Sequence, residues 1–297
     1  MFRSGFISII GRPNTGKSTL LNRIVGEKIA ITTHKPQTTR NRITGIRNIT
    51  DGQLIFLDTP GIHRANTPLN RQLTKTALDT LEGADILLFL TDAGPEVSPE
   101  DRSILDLLRP AKQPVVLAIN KIDLVEKPRL LPLADQFRQL FPFREILFLS
   151  ARKGEGVPEL VEVIGKLLPE GPQYFPDDMM TDRTERFIAA EIIREKITLL
   201  TQQEIPYATA AVVDTFREDE GRNLIRIQAT IIVEKDSQKG IVIGRKGAML
   251  KEIGTRARQE MEKFFAAKVF LELFVRVQKD WSHDIRMLRE LGYTDKS

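Results

Sequence analysis

The sequence predicts an α/β domain built on a mainly parallel sheet, followed by a smaller α+β domain. Three observations predict it. Apolar strand-like runs alternate with helical patterns over most of the first 170 residues. The pattern breaks in a Pro-containing stretch, PEGPQYFPDDMMTD at 169–182. Beyond it the order of elements changes. Strands alternating with helices imply a sheet covered on both faces, and 297 residues are enough for two domains.

The first element is GFISII (5–10), an apolar strand, followed by a glycine-rich turn and the amphipathic helix TLLNRIVG. Further strands are expected at 43–49, 53–57, 85–91, 114–119 and 145–149, with helices at about 69–82, 101–109, 129–140 and 157–168. Asp51-Gly52 between two apolar runs is a hairpin signal, so one edge strand should be antiparallel. These elements form a domain over 1–170, and 171–182 reads as a linker. The domain at 183–297 has the order α–β–β–α–α–β–α: a helix at 183–200, strands at 207–216 and 223–235, two helices split by glycine within 240–265, a strand at 268–279 and a final helix at 281–292.

Composition removes several chemistries. The chain has no Cys, which excludes a disulfide framework, a thiolate zinc site, an iron–sulfur cluster and a cysteine nucleophile. Its three His (His34, His63, His283) lie far apart in sequence, which disfavours a His-rich metal site. Neither a signal peptide nor a run of about 18 apolar residues is present, so the expected location is the cytoplasm. The net charge of +4 is small, but its distribution is uneven. Residues 171–297 are neutral as a whole, whereas 235–258 hold seven basic and two acidic residues around one glycine turn.

GRPNTGKS at 11–18 matches G-x-x-x-x-G-K-[ST] between a strand and a helix, the context of a phosphate-binding loop. Its glycines let successive N–H groups of Gly11, Arg12, Pro13, Asn14, Thr15, Gly16, Lys17, Ser18 and Thr19 (Pro13 excepted, having none) wrap phosphate oxygens at the N-terminus of a helix. Lys17 would neutralise the β- and γ-phosphates, and Ser18 would offer its hydroxyl to Mg²⁺.

The base is read elsewhere. Asn120-Lys121-Ile122-Asp123 ends an apolar strand, at the edge where open α/β sheets bind ligands. The Asp123 carboxylate can accept two hydrogen bonds from guanine, a donor pair adenine lacks. The Lys121 stem can cover the base, and Asn120 can tie its loop to the phosphate loop. Ser150-Ala151-Arg152 follows the next strand, where the Ala151 N–H is expected to meet guanine O6. Asp58-Thr59-Pro60-Gly61 ends another strand, with Asp58 toward Mg²⁺ and the Gly61 N–H toward the γ-phosphate.

This ordered set, with QTTR at 37–40, resembles the five guanine-nucleotide motifs of translation-factor-related P-loop GTPases. The resemblance implies GTP/GDP and Mg²⁺ as ligands and Lys17, Thr39 and Gly61 as the catalytic set. The family's threonine that completes the Mg²⁺ set with Ser18 and Asp58 falls on Thr38 or Thr39; Thr39 is preferred because Arg40 follows it. One position departs from the pattern. Ile62 stands where the family usually carries a water-orienting glutamine, and His63 follows, either as a surrogate or in a structural role. By resemblance to a subgroup, Asn14 either helps hold K⁺ near the phosphates or only stabilises its loop.

Gly244-Arg245-Lys246-Gly247 lies between two helical segments in an α–β–β–α–α–β order, which resembles a type II KH domain. Glycines let a single-stranded backbone approach closely. Arg245 and Lys246 would contact phosphates, Ile241, Val242 and Ile243 would border a groove for about four bases, and Lys239 and Lys251 would extend the basic footprint. A GTPase domain joined to such a KH domain resembles the Era family of bacterial GTPases over essentially the whole chain. That resemblance implies slow intrinsic GTP hydrolysis, binding to the 3′ end of small-subunit (16S) ribosomal RNA, a role in 30S subunit maturation, a monomer, and peripheral association with the inner membrane. The alternative is a nucleotide-gated RNA-binding module with negligible hydrolysis, which Ile62 motivates.

Overall fold

The computed structural model describes residues 1–36, 38–62 and 68–293. Gln37, at the start of the QTTR motif, and His63 lie outside the described residues. The chain divides into two compact units: Met1–Ala30, Thr39–Ala65 and Arg71–Asp182 form the first, and Ile31–Thr38, Asn66–Asn70 and Arg183–Ser297 the second.

The first unit is built on a six-stranded sheet: β1 (Arg3–Ile10), β2 (Ile43–Ile49), β3 (Gly52–Asp58), β4 (Ile86–Asp92), β5 (Val115–Asn120) and β6 (Glu145–Phe148). Their order is β2-β3-β1-β4-β5-β6. Only β2 is antiparallel to its neighbour, through the hairpin that Asp51-Gly52 announces. The central strands are apolar at nearly every position because both faces are covered. Helices α1 (Lys17–Val25), α2 (Pro68–Glu82), α3 (Pro99–Leu108), α4 (Leu130–Leu140) and α5 (Val157–Leu167) connect them. One face buries Ile10, Phe89 and Leu117 against Ala77 of α2, Leu105 of α3 and Phe137 of α4. α3 starts where its sequence requires: the Ser98 hydroxyl accepts the Asp101 N–H at 3.0 Å and Pro99 occupies the first turn.

The segment 171–182, expected as a linker, packs on this sheet. Ile46 N–H donates to the Met180 carbonyl at 2.9 Å, and Asn48 Nδ2 to the Asp177 carbonyl at 2.8 Å. Buried Gln53 accepts the N–H groups of Tyr174 and Phe175 and donates to the Phe175 carbonyl, each at 2.9 Å. The reason is the edge strand: β2 presents unpaired backbone groups along its outer side, and an irregular chain segment satisfies them. Composition reports only that such a segment is neither helix nor strand.

The second unit has the expected order: α6 (Glu185–Leu200), β7 (Thr209–Asp219), β8 (Leu224–Val233), α7 (Asp236–Ile243), α8 (Ala248–Phe265), β9 (Lys268–Val277) and α9 (Ile285–Glu290). Its sheet runs β7-β8-β9, with β7 antiparallel and β9 parallel to β8. The odd-numbered residues of β8 and β9 join α6, α7 and α8 in one core, led by Ile227, Ile231, Ile193, Val242 and Ile253. α6 also buries Glu191, Arg194, Glu195 and Lys196, which its spacing alone does not explain. Thr32, Lys35 and Thr38 account for this. Thr32 N–H donates to Glu195 at 2.9 Å, Lys35 Nζ to the Thr198 carbonyl at 2.7 Å, and Arg194, paired with Glu191 at 2.6 Å, to the Thr38 carbonyl.

Trp281 is fully buried, its Nε1–H donates to the Ala208 carbonyl at 3.0 Å, and its ring lies 5.9 Å from that of Tyr293. Trp281→Ala should therefore cost about 3–5 kcal/mol of stability, to be measured by chemical denaturation followed by circular dichroism.

Candidate functional site

The C-terminal ends of β1, β3, β4 and β5 carry the polar residues of the first unit. After β1 the chain turns through Gly11–Gly16. Asn14 has φ 65° and Gly16 φ 102°, and both left-handed residues are needed to fold the loop back onto the start of α1. A Cβ on Gly16 would lie 2.3 Å from Asn120 Nδ2, so strain and space both demand glycine. Lys17 closes the loop by donating to the Gly11 and Arg12 carbonyls at 3.0 Å each.

Ser18, Thr39 and Asp58 converge. Ser18 Oγ donates to Asp58 Oδ2 at 2.6 Å and lies 2.8 Å from Thr39 Oγ1, which is 3.4 Å from the same carboxylate oxygen. Thr38 turns elsewhere, with its hydroxyl 2.6 Å from that of Thr33. Of the two threonines, the geometry places Thr39 with the Mg²⁺ candidates. The remaining Asp58 oxygen, Oδ1, is buried without a hydrogen-bond partner. An orphaned carboxylate oxygen beside two hydroxyls is a hard-oxygen set suited to Mg²⁺. Burial pushes the Asp58 carboxyl up to about 6, with Lys17, Ser18 and Thr39 opposing. Burial likewise pushes the Lys17 ammonium down to about 8, with Asp58 opposing and Arg12 adding to the fall. Both charges are thus under-compensated, and a phosphate with its cation would supply the missing counter-charge.

Thr59 anchors its loop through Oγ1 to the Ile9 carbonyl at 2.9 Å, and a Cβ on Gly61 would lie 2.8 Å from Pro13 N. The loop after Pro60 therefore passes tightly over the phosphate loop, where Ile62 N–H donates to the Gly11 carbonyl at 3.3 Å. The Ile62 side chain belongs to the sheet core. Its apolar character is thereby explained: the position serves packing, not water orientation.

Asn120 is a two-way staple. Its Nδ2 donates to the Thr15 carbonyl at 2.8 Å, and its Oδ1 accepts the Ala151 N–H at 2.9 Å. The sequence reading aimed that N–H at guanine O6; the structure gives it to Asn120, because the loop after β6 closes against β5. Ser150 braces that loop by accepting the Lys153 N–H at 3.2 Å. Lys121 has φ 63° and pairs with Asp92 at 3.1 Å, while Asp123 is half-buried and no described residue hydrogen-bonds to its carboxylate. Arg152 is exposed, and its carbonyl accepts from Arg23.

Asp92, Asp101 and Arg23 escaped the sequence reading, and Arg12 entered it only through its backbone N–H. Arg12 binds Asp92 and also Asp101, the latter at 3.1 Å, fixing the phosphate loop to β4 and α3. Asp92 carried a signal: it ends an apolar strand as Asp58 and Asn120 do. Arg23, whose Nε donates to the Ala151 carbonyl at 3.2 Å, had none.

In the second unit the glycine turn joins α7 to α8. Gly244 has φ 72° and ψ 174°, and a Cβ there would lie 2.9 Å from Met249 N. Arg245 and Lys246 are exposed, with Lys246 at φ 53°. Ile241 is exposed, Ile243 and Lys239 half-buried, and Lys251 exposed. Val242 corrects the expectation: it is fully buried in the core, because the helical turn points 242 inward when 241 faces out.

Comparison with known proteins follows this division. A family model described as a 50S ribosome-binding GTPase matches residues 6–121, and one described as a KH domain matches residues 204–282. GTPase Era of Syntrophus aciditrophicus (strain SB) is 65% identical over 295 residues, covering 99% of this chain and 96% of the relative. GTPase Era of Geobacter metallireducens is 59% identical over 293 residues, covering 99% and 98%. Among solved structures, a tyrosine-to-alanine variant of Aquifex aeolicus Era bound to GDP·AlF4⁻ matches with a TM-score of 0.95 and 42% identity, covering 99% of this chain and 100% of that one. Era in complex with MgGDPNP and nucleotides 1506–1542 of 16S ribosomal RNA matches with a TM-score of 0.96 and 41% identity, with the same coverage. Among the described residues, no helix is long and apolar enough to cross a membrane.

Replacing Asn120 by Ala strands the Thr15 carbonyl and the Ala151 N–H together. Guanine-nucleotide affinity should fall about 30-fold or more, since each of the two stranded buried groups costs at least about 1 kcal/mol; equilibrium titration with a fluorescent GDP analogue measures it.

Proposed function

Because the chain belongs to the Era family of GTPases, we propose that it binds GTP at the loop after β1, hydrolyses it, and holds the 3′ segment of 16S ribosomal RNA at its glycine turn during 30S subunit assembly. The observation that carries the nucleotide half is the convergence of Ser18, Thr39 and the orphaned Asp58 oxygen beside buried Lys17. The N–H groups of Gly11–Thr19, other than Pro13, cradle the phosphates. Lys17 exchanges the Gly11 and Arg12 carbonyls for phosphate oxygens, an exchange of neutral acceptors for charged ones. Ser18, Thr39 and Asp58 would hold Mg²⁺, which when bound draws charge from the β- and γ-phosphates. Thr59 and Pro60 belong to the loop that Thr59 ties to β1, and there the Gly61 N–H would meet the γ-phosphate. Asp123 reads the guanine edge, Lys121 covers the base and Ser150, Ala151 and Arg152 form the loop behind it.

With Ile62 in the core, the attacking water must be oriented by other groups, which accounts for slow intrinsic turnover. Asn14, at a left-handed position of the phosphate loop, would help hold a K⁺ ion at the phosphates, where extra positive charge would stand in for an arginine finger. For RNA, Arg245 and Lys246 meet phosphates while Ile241 and Ile243 border the bases, with Lys239 and Lys251 at the flanks. The protein works as a cytoplasmic monomer, and any membrane association is peripheral.

Lys17→Ala should reduce GTP and GDP affinity about 100-fold or more with the fold intact, since it removes at least two charge-assisted contacts. Multiple-turnover phosphate release should be faster in K⁺ than in Na⁺, and Asn14→Ala should abolish the difference. Equal rates in both salts, unchanged by Asn14→Ala, would leave Asn14 a loop residue. Tight GTP binding with no phosphate release above blank would return the chain to a nucleotide-gated RNA-binding module. Arg245→Asp with Lys246→Asp should weaken single-stranded RNA binding and lower the slope of log K against log salt by about 1.4, the contribution of two single-strand phosphate contacts.

A further inference from the structure

The sheet of the second unit has two faces, and only one is used so far. Odd-numbered residues of β8 and β9 face the helices that carry the glycine turn. The even-numbered residues face the other way, buried at Ile232 and its partner Ala210 but open around Arg226 and along the even positions of β9 from Phe270. That open face holds two aromatic side chains, Phe270 at 47% and Phe274 at 54% exposure. Four residues apart on one strand, they stand about 13 Å from each other on the same side.

Around them are four exposed cations: Arg217, Arg226, Lys268 and Arg276. Arg217 pairs in register with Arg226, and Arg226 with Phe270. The Arg226 guanidinium carbon lies 5.6 Å from the centre of the Phe270 ring. None of the four cations forms an ion pair among the described residues. The nearby carboxylate of Glu272 instead accepts from Gln228 Nε2 at 2.9 Å, and Gln228 Oε1 accepts from Thr215 at 3.2 Å. Between these groups lies a half-open cavity of about 270 Å³, lined by Thr215, Arg217, Arg226, Gln228, Phe270 and Glu272.

A solvated sheet face would carry polar residues in place of two exposed phenylalanines. A protein-docking face would be depleted of unpaired charge at its centre. Aromatic rings set among unpaired arginines match what a single-stranded nucleic acid needs: a π-face for a base, cations for its phosphates, and a Gln–Glu–Thr edge for its polar atoms. We propose that this open face is a second RNA site, which stacks an unpaired base on Phe270 and Arg226 and follows the backbone toward Phe274 and Arg276. It rests on the reading of the second unit as an RNA-binding domain. It extends that reading to nucleotides that lie outside the groove beside the glycine turn.

The test uses the full chain and two single-stranded RNAs, titrated by fluorescence anisotropy. The short one spans about four nucleotides, the length such a groove holds. The long one carries the same stretch with unpaired extensions at both ends. The wild-type protein should bind the long RNA more tightly. Phe270→Ala and Arg226→Ala should each remove about tenfold of that affinity, the worth of one stacked base, and leave the short RNA unaffected. Phe270→Trp should retain it. Because Phe270 is exposed, these variants should keep the wild-type melting temperature. Equal binding of the long RNA by wild type and both alanine variants overturns the site. So does a wild-type dimer, seen by sedimentation without RNA, that Phe270→Ala dissociates. Arg245→Asp with Lys246→Asp separates the two readings: if short-RNA binding survives it, the glycine-turn assignment fails independently of the Phe270 result.

Discussion

The burial of two opposite charges, Lys17 at the start of α1 and Asp58 at the end of β3, constrains everything around them. Each is taken out of water and neither is fully repaid by the other, so the carboxyl rises and the ammonium falls. The chain accommodates them by supplying hydroxyls and carbonyls: Ser18 and Thr39 on one side, the Gly11 and Arg12 carbonyls on the other. These contacts position the site but leave Asp58 Oδ1 without a partner. A polyphosphate with a divalent cation is the ligand that completes such an arrangement, because it brings both missing counter-charges together.

The rest of the first unit holds that pair in place. Asn120 joins the phosphate loop to the loop after β6, and Arg12 joins it to Asp92 and Asp101. Four strand ends thus act as one frame. The arrangement is rigid where the nucleotide needs fixed amides, and its residues are side chains that bond backbone groups, which packing alone would leave unsatisfied. The second unit solves a different problem. It concentrates positive charge at a turn whose backbone conformation suits glycine, and it leaves Phe270 and Phe274 exposed on the sheet face opposite its core.

Much of this was legible in the sequence. The fold class, the succession of elements along the chain and the Asp51-Gly52 hairpin follow from periodicity and turn residues. The phosphate-loop residues lie where their spacing puts them, since a strand, a glycine turn and a helix form one local unit. What was illegible depends on distant contacts. Segment 171–182 looked like a tether and is an edge cover, because nothing local in its composition records that β2 needs partners. Val242 looked like a groove residue and is core, and the Ala151 N–H meets Asn120. For segment 171–182 and for Ala151 the deciding partner is far away in the chain, whereas for Val242 the turn of α7 itself decides.

The sequence by itself determined the kinds of site: a phosphate loop, a guanine-reading set and a glycine turn under concentrated positive charge. Each is written in a few consecutive residues whose backbone geometry is local. Only the tertiary structure decided which atoms meet. It chose Thr39 over Thr38 for the oxygen cluster, placed Ile62 in the core, recruited Thr32, Lys35 and Thr38 to bury the charges of α6, and left Phe270 and Phe274 exposed. The physical reason is that burial and hydrogen-bond satisfaction are settled between segments, by packing that no single stretch of sequence contains.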